Sequence, residues 1–152
     1  MYTGDGFTLS YPKDWTKTVH SGQIVFQDAL GNNAFTVVAI ANTDGLVSPS
    51  SVLKVTLSSG VKAAKMTNTS SAQLPASVSL AGETWVQEGT RGTVSQNGVS
   101  AEFEFVALAT DHPAHTPKTK LFELFYGGPL EGSTLVNEPL FQAILASFKF
   151  TS

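Results

Sequence analysis

Glu83-Thr-Trp-Val-Gln-Glu-Gly-Thr-Arg-Gly-Thr-Val-Ser-Gln-Asn-Gly-Val-Ser-Ala-Glu-Phe-Glu-Phe-Val-Ala-Leu-Ala109 decides the fold, because it is the longest run that reads as paired β-structure. At its middle sits Asn97-Gly98, the residue pair that best tolerates the two positive φ angles of a type I′ hairpin turn. A two-residue loop there places Val94 opposite Ala101, Gly92 opposite Phe103 and Thr90 opposite Phe105, with Arg91 facing Glu104 on the other side. Phe103, Phe105, Ala107 and Ala109 make an apolar stripe at period two. Glu102 and Glu104 alternate with them before Val106 and Leu108 turn the second face apolar too. The far half of the hairpin is therefore expected to be covered on both faces.

Upstream of the hairpin, Val78 and Leu80 lead into a turn at Ala81-Gly82, and Thr67 to Ala76 has little to bury and reads as a loop or ragged edge strand. Its Asn68-Thr-Ser70 matches a glycosylation acceptor, a tripeptide common by chance. Before that the period changes. Ser48 can cap a helix, Pro49 suits its first position, and Val52, Leu53, Thr56, Leu57 and Val61 fall on one side at helical spacing. This helix is expected to end near Lys65 and to be interrupted at Gly60. At the N-terminus Phe7, Leu9 and Tyr11 alternate until Pro12 stops the ladder, and Pro-Lys-Asp throws Trp15 back as a core anchor. Strands over Gln23 to Gln27 and Ala34 to Ala41 follow, and the three strands are expected to form a meander.

Downstream, Thr110-Asp-His-Pro-Ala-His-Thr-Pro-Lys118 reads as a loop with two prolines. A strand from Thr119 to Tyr126 puts Phe122, Leu124 and Tyr126 on one face and Leu121, Glu123 and Phe125 on the other, closing at Gly127-Gly128-Pro129. Leu140, Phe141, Ile144, Leu145 and Phe148 make the stripe of a second amphipathic helix, its start marked by Asn137 and Pro139. Strands, helix, strands, helix, without regular βα alternation, is an α+β order: an antiparallel β-sheet flanked by helices.

The 152 residues fit one domain, 1–152, with a single core. Charged residues make up only 14% of the chain, and the net charge is −3, so the chain offers no basic field for a nucleic acid. No apolar run approaches the length of a membrane span. Met1-Tyr2 leads directly into folded-looking sequence, so an N-terminal signal or anchor is expected to have been trimmed from a tethered domain. With no cysteine there is neither a disulfide scaffold nor a thiol nucleophile. The Ser/Thr-rich, Lys-poor surface points outside the cytoplasm, to a secreted or surface-anchored domain.

The opening Gly4-Asp-Gly-Phe-Thr-Leu-Ser-Tyr-Pro-Lys-Asp-Trp15 resembles the characteristic start of PsbP-like domains, and Phe141-Gln-Ala-Ile-Leu-Ala-Ser-Phe-Lys-Phe150 resembles their usual end. The resemblance implies the α/β/α sandwich shared by PsbP, the Ran-binding Mog proteins and a group of bacterial surface lipoproteins. It also implies an accessory or binding role, since the residues that carry it are core and turn residues and bring no catalytic group with them.

Chemistry is sought in four places. Asp111, His112 and His115 place a carboxylate and two imidazoles within five residues, a plausible ligand set for zinc or a similar ion if His20 or Glu123 supplied a fourth group. The simpler reading is a solvated loop. Glu102 and Glu104 share a strand face near Arg91, where a cross-strand contact on an exposed part of the sheet explains them better than acid–base work. No serine sits in a G-x-S-x-G elbow, and Gly4-Asp-Gly6 and Gly127-Gly128 are turn glycines rather than phosphate loops. Among the aromatics, Trp85 and Tyr126 stand at expected strand ends, where a ring could line a shallow cleft for a ligand or partner. Two functions follow: a non-enzymatic extracytoplasmic domain that binds a protein or small ligand without a cofactor, or a small metal-dependent hydrolytic enzyme using the Asp111–His115 loop.

Overall fold

The computed structural model describes residues 1–151. Its elements in chain order are β1 (Tyr2–Gly4), β2 (Phe7–Leu9), β3 (Thr16–His20), β4 (Gln23–Gln27), β5 (Ala34–Ala41), α1 (Pro49–Ala63), β6 (Thr67–Ser71), β7 (Ser77–Leu80), β8 (Glu83–Gln96), β9 (Val99–His112), β10 (Lys120–Glu131), β11 (Thr134–Leu135), α2 (Glu138–Ser147) and β12 (Lys149–Phe150). Every strand pair is antiparallel. The large sheet runs β3-β4-β5-β10-β9-β8-β6, with β11 added to β10 and β7 to β8. A separate small sheet joins β1, β2 and β12. This is an α+β fold.

The central hairpin has the register read from its turn: Val94 pairs with Ala101, Gly92 with Phe103, Arg91 with Glu104 and Thr90 with Phe105. Asn97 and Gly98 both have positive φ, 51° and 76°, as a type I′ turn requires. β9 and β10 lie at the centre of the sheet and are covered on both sides. On one face Val106, Leu108, Phe122, Leu124 and Tyr126 meet α2 and the small sheet in an aromatic core that holds Trp15, Trp85, Phe141 and Phe148. On the other, α1 sets Leu53 and Leu57 on Ala107 and Ala109, flanked by Phe105 and Phe125. Helices thus lie on both faces of the sheet.

Ser48 caps α1 by accepting from the Ser51 amide at 3.1 Å. The helix runs through Gly60 without a break. A Cβ there would come within 2.9 Å of the Phe125 ring, so the glycine lets the helix lie close on the sheet, against a propensity loss of about 1 kcal/mol. α2 starts as expected, but Asn137 makes no side-chain cap bond.

Four expectations need correction. The N-terminal segment does not join the meander, which consists of β3, β4 and β5. Phe7–Leu9 pairs instead with β1 and β12, segments of three and two residues, too short for periodicity to mark. Thr110 to His112 is strand, not loop, because β10 pairs along it to Lys120. β10 also continues through Gly127-Gly128-Pro129, since Pro129 faces Phe103 while Leu130 and Glu131 pair with β11. Finally, Glu104 is not on an exposed part of the sheet: it is 4% exposed, on the same side of β9 as Val106.

Candidate functional site

The antiparallel register of β9 and β10 sets Lys120 beside His112 and Phe122 beside Thr110, so an ammonium, an imidazole and a ring share one face at one end of the sheet. The β1–β2 turn, Asp5-Gly6, closes over them. Gly6 has φ +89°, which favours glycine, and a Cβ there would stand 3.2 Å from the Phe122 ring, close enough to push against it. The C-terminal strand is pinned to the same turn by the Thr151 amide, which donates to the Gly6 carbonyl at 2.9 Å. Together Asp5, Gly6, His112, Pro113, Lys118, Lys120, Phe122 and Thr151 line a cleft of about 640 Å³, within the size range of small-ligand sites.

The walls are held by specific bonds. His112 Nδ1 lies 2.7 Å from Glu83 Oε1, and its ring stacks on Phe150 with centroids 3.7 Å apart and planes 12° apart. Lys120 Nζ donates to Asp5 Oδ1. The turn that carries Lys118 is tied internally: Thr116 donates its amide to Thr119 Oγ1 at 2.9 Å, and Thr119 Oγ1 donates to the Pro113 carbonyl. The cleft therefore combines the partly exposed His112 ring and Pro113, backed by the buried Phe122, with two ammonium groups on a braced rim.

The residues considered as an alternative metal set do not converge. Asp111 and His112 are successive strand residues and point to opposite faces. Asp111 accepts from Asn42 Nδ2 at 2.8 Å, whereas His112 is engaged with Glu83 and Phe150. His115 is exposed on the turn with φ 56°, His20 sits at the far β3–β4 hairpin, and Glu123 is under α1. Among the described residues, no group of three or more His, Cys, Asp or Glu side chains is arranged to hold a metal ion.

Trp85 and Tyr126 are core residues, not cleft linings. Trp85 is 0% exposed, and its indole nitrogen donates inward to the Leu80 carbonyl at 2.9 Å. Tyr126 is 4% exposed and stacks on Phe35. Burial, together with the negative charges of Glu138 and Glu104, raises its pKa above the usual phenol range. β10 runs on past Tyr126, so that residue is not at a strand end; Trp85 does stand near the start of β8, but β7 pairs alongside it, with Val78 opposite Trp85.

Two buried carboxylates have distinct roles. Glu104 accepts from Arg91 Nε at 2.7 Å, and Arg91 also donates to the Ser133 carbonyl at 2.7 Å, tying the hairpin to the β10–β11 turn. Glu123, 5% exposed, takes the Thr56 hydroxyl of α1, 2.7 Å and 2.8 Å from its two oxygens. Burial raises its pKa, and the Thr56 bond opposes that only in part.

A second cleft of about 430 Å³ opens on the α1 face, with Phe103, Phe105 and Phe125 as floor and Lys65 and Gln96 among its lining. Sequence reasoning missed Asp5, Lys118 and Lys120. The only signal was two lysines at a spacing of two beside His112, and nothing local brings the Asp5 turn over them.

No protein-family model and no curated protein sequence matches the chain. Among solved structures, the crystal structure of LpqN, involved in cell envelope biogenesis of Mycobacterium tuberculosis, is similar in fold. Its TM-score is 0.53 at 18% sequence identity, covering 96% of this chain and 83% of that one. At that identity the likeness is one of fold, an antiparallel sheet with helices on it.

Proposed function

We propose that this chain is a non-enzymatic accessory domain working outside the cytoplasm, and that it binds a small ligand in the cleft between the β9–β10 end of the sheet and the β1–β2 turn. The observation that carries the reading is the convergence of Lys118, Lys120 and His112, drawn together with the Asp5-Gly6 turn and Thr151, around one cleft of about 640 Å³. The fold likeness to an envelope biogenesis protein and the PsbP-like ends of the chain support the accessory role. No described helix is long and apolar enough to cross a membrane. A hydrolytic metal site at Asp111, His112 and His115 is not favoured, because the three side chains diverge.

The test is amide chemical-shift mapping of the ¹⁵N-labelled protein against a chemically mixed set of small acids, amides, amines and sugars. Binders should shift the amides of Gly6, His112, Lys120, Phe122 and Thr151 together. Shifts confined to the α1-face cleft around Phe105 and Lys65, or none anywhere, would refute the assignment.

A further inference from the structure

Resting on that reading of the cleft, we infer that its ligand is a carboxylate attached to a flat apolar body, and that Asp5 is an internal carboxylate which the ligand displaces from Lys120. The two partners of this ion pair differ sharply in setting: the Lys120 side chain is 29% exposed and Asp5 is 82% exposed. The cation belongs to the cleft and the anion to solvent. A pair with one partner so exposed contributes little to stability, so one carboxylate can replace another at Lys120 with little loss.

A gain over Asp5 comes from the rest of the lining. Lys118 is exposed at the rim and makes no salt bridge among the described residues, so it is available to a second carboxylate oxygen. Apolar surface beside the two ammonium groups comes from Pro113, exposed at the cleft, and from the partly exposed His112 ring, already stacked on Phe150, whereas Phe122 beneath them is 1% exposed and only backs the cleft. In a chain of net charge −3, the lining itself sets two lysines against one carboxylate, with Glu83 held outside it on His112, and once Asp5 leaves, the groups that face a ligand favour an anion. Asp5 can leave by side-chain rotation alone, because the backbone anchor of its turn is the adjacent Gly6 carbonyl, held by Thr151.

The probes are 3-phenylpropionate, its neutral amide and inorganic phosphate, titrated at fixed ionic strength and read by the same amide shifts. The acid should bind in the millimolar range, with the amide and phosphate each about tenfold weaker. Asp5→Asn should tighten the acid severalfold by freeing Lys120. Lys120→Gln should weaken it about tenfold, and the fingerprint spectrum reports whether each variant keeps its fold.

Equal binding of acid and amide at the cleft would overturn the carboxylate assignment and leave the cleft as a binding site. Equal binding of phosphate and acid would overturn the apolar body. Unchanged or weaker acid binding to Asp5→Asn would overturn the displacement. If the acid and amide both leave the cleft unperturbed, the inference fails, and the separate mixed-set mapping decides whether the cleft reading fails with it.

Discussion

The two faces of the central sheet are built on opposite principles. On the α2 face, β9 presents Val106 and Leu108 and β10 presents Phe122, Leu124 and Tyr126, closed by Trp85, Phe141 and Phe148. On the α1 face β9 presents Ala107 and Ala109, flanked by Phe105 and by Phe125 of β10, and the helix reaches the sheet through Leu53 and Leu57. Small residues let α1 lie close, but they bury little apolar area, and burial scales roughly with area at about 25 cal/mol per Å². The lesson is that the chain is held together from one face and decorated on the other. The α1 face also tolerates a carboxylate, Glu123, satisfied by a single hydroxyl.

The largest effect should come from the heavy face. Trp85→Ala should lower unfolding free energy by about 4 kcal/mol, against about 2 to 3 for Leu57→Ala, each read from urea denaturation of the purified variant. Equal losses would break the comparison, because they would mean α1 is as deeply integrated as the aromatic core.

A smaller loss should follow at the hairpin. Arg91→Met strands the buried Glu104 carboxylate, and a loss of about 2 kcal/mol is expected, since Arg91 itself is partly exposed and water moderates the penalty. A change within a few tenths would return the pair to the status of a surface contact. The double variant with Glu104→Gln should recover much of the loss.

The smallest effect sharpens the picture of the α1 face. Glu123 holds its proton to higher pH in the folded state than in the unfolded chain, where the carboxyl titrates near 4.5. The stability it contributes is fully present below the unfolded pKa and is lost as pH rises through the folded value. Stability of the parent protein should therefore fall from acid towards neutral pH relative to Glu123→Gln, with the variant the more stable near neutrality and the two converging in acid. Thermal melts across that range check it. A variant equally destabilised at every pH would show that the carboxylate is a needed hydrogen-bond partner rather than a strained one.

What was legible in the sequence was local. Asn97-Gly98 dictates its own turn, and the turn dictates the whole β8–β9 register, because each pair follows from the one before it. Double-sided burial of β9 and β10 was visible in their runs of apolar residues. Ser48-Pro49 marked the start of α1 through bonds made within one turn.

What the tertiary structure alone decided depends on segments far apart in the chain. Two- and three-residue strands carry no periodicity, so the small sheet that joins the two termini could not be read, and the cleft it closes could not be either. Alternation told which residues share a face but not which face would be deep; Glu104 is buried with Arg91, which reaches on to the β10–β11 turn, and Glu123 lies under α1. Asp111, His112 and His115 are neighbours in sequence, yet strand geometry turns the first two apart. Lys120 and Asp5 are 115 residues apart and meet. Local stereochemistry fixes pairs along one chain segment, whereas a site assembled from distant segments exists only once the non-local contacts have formed.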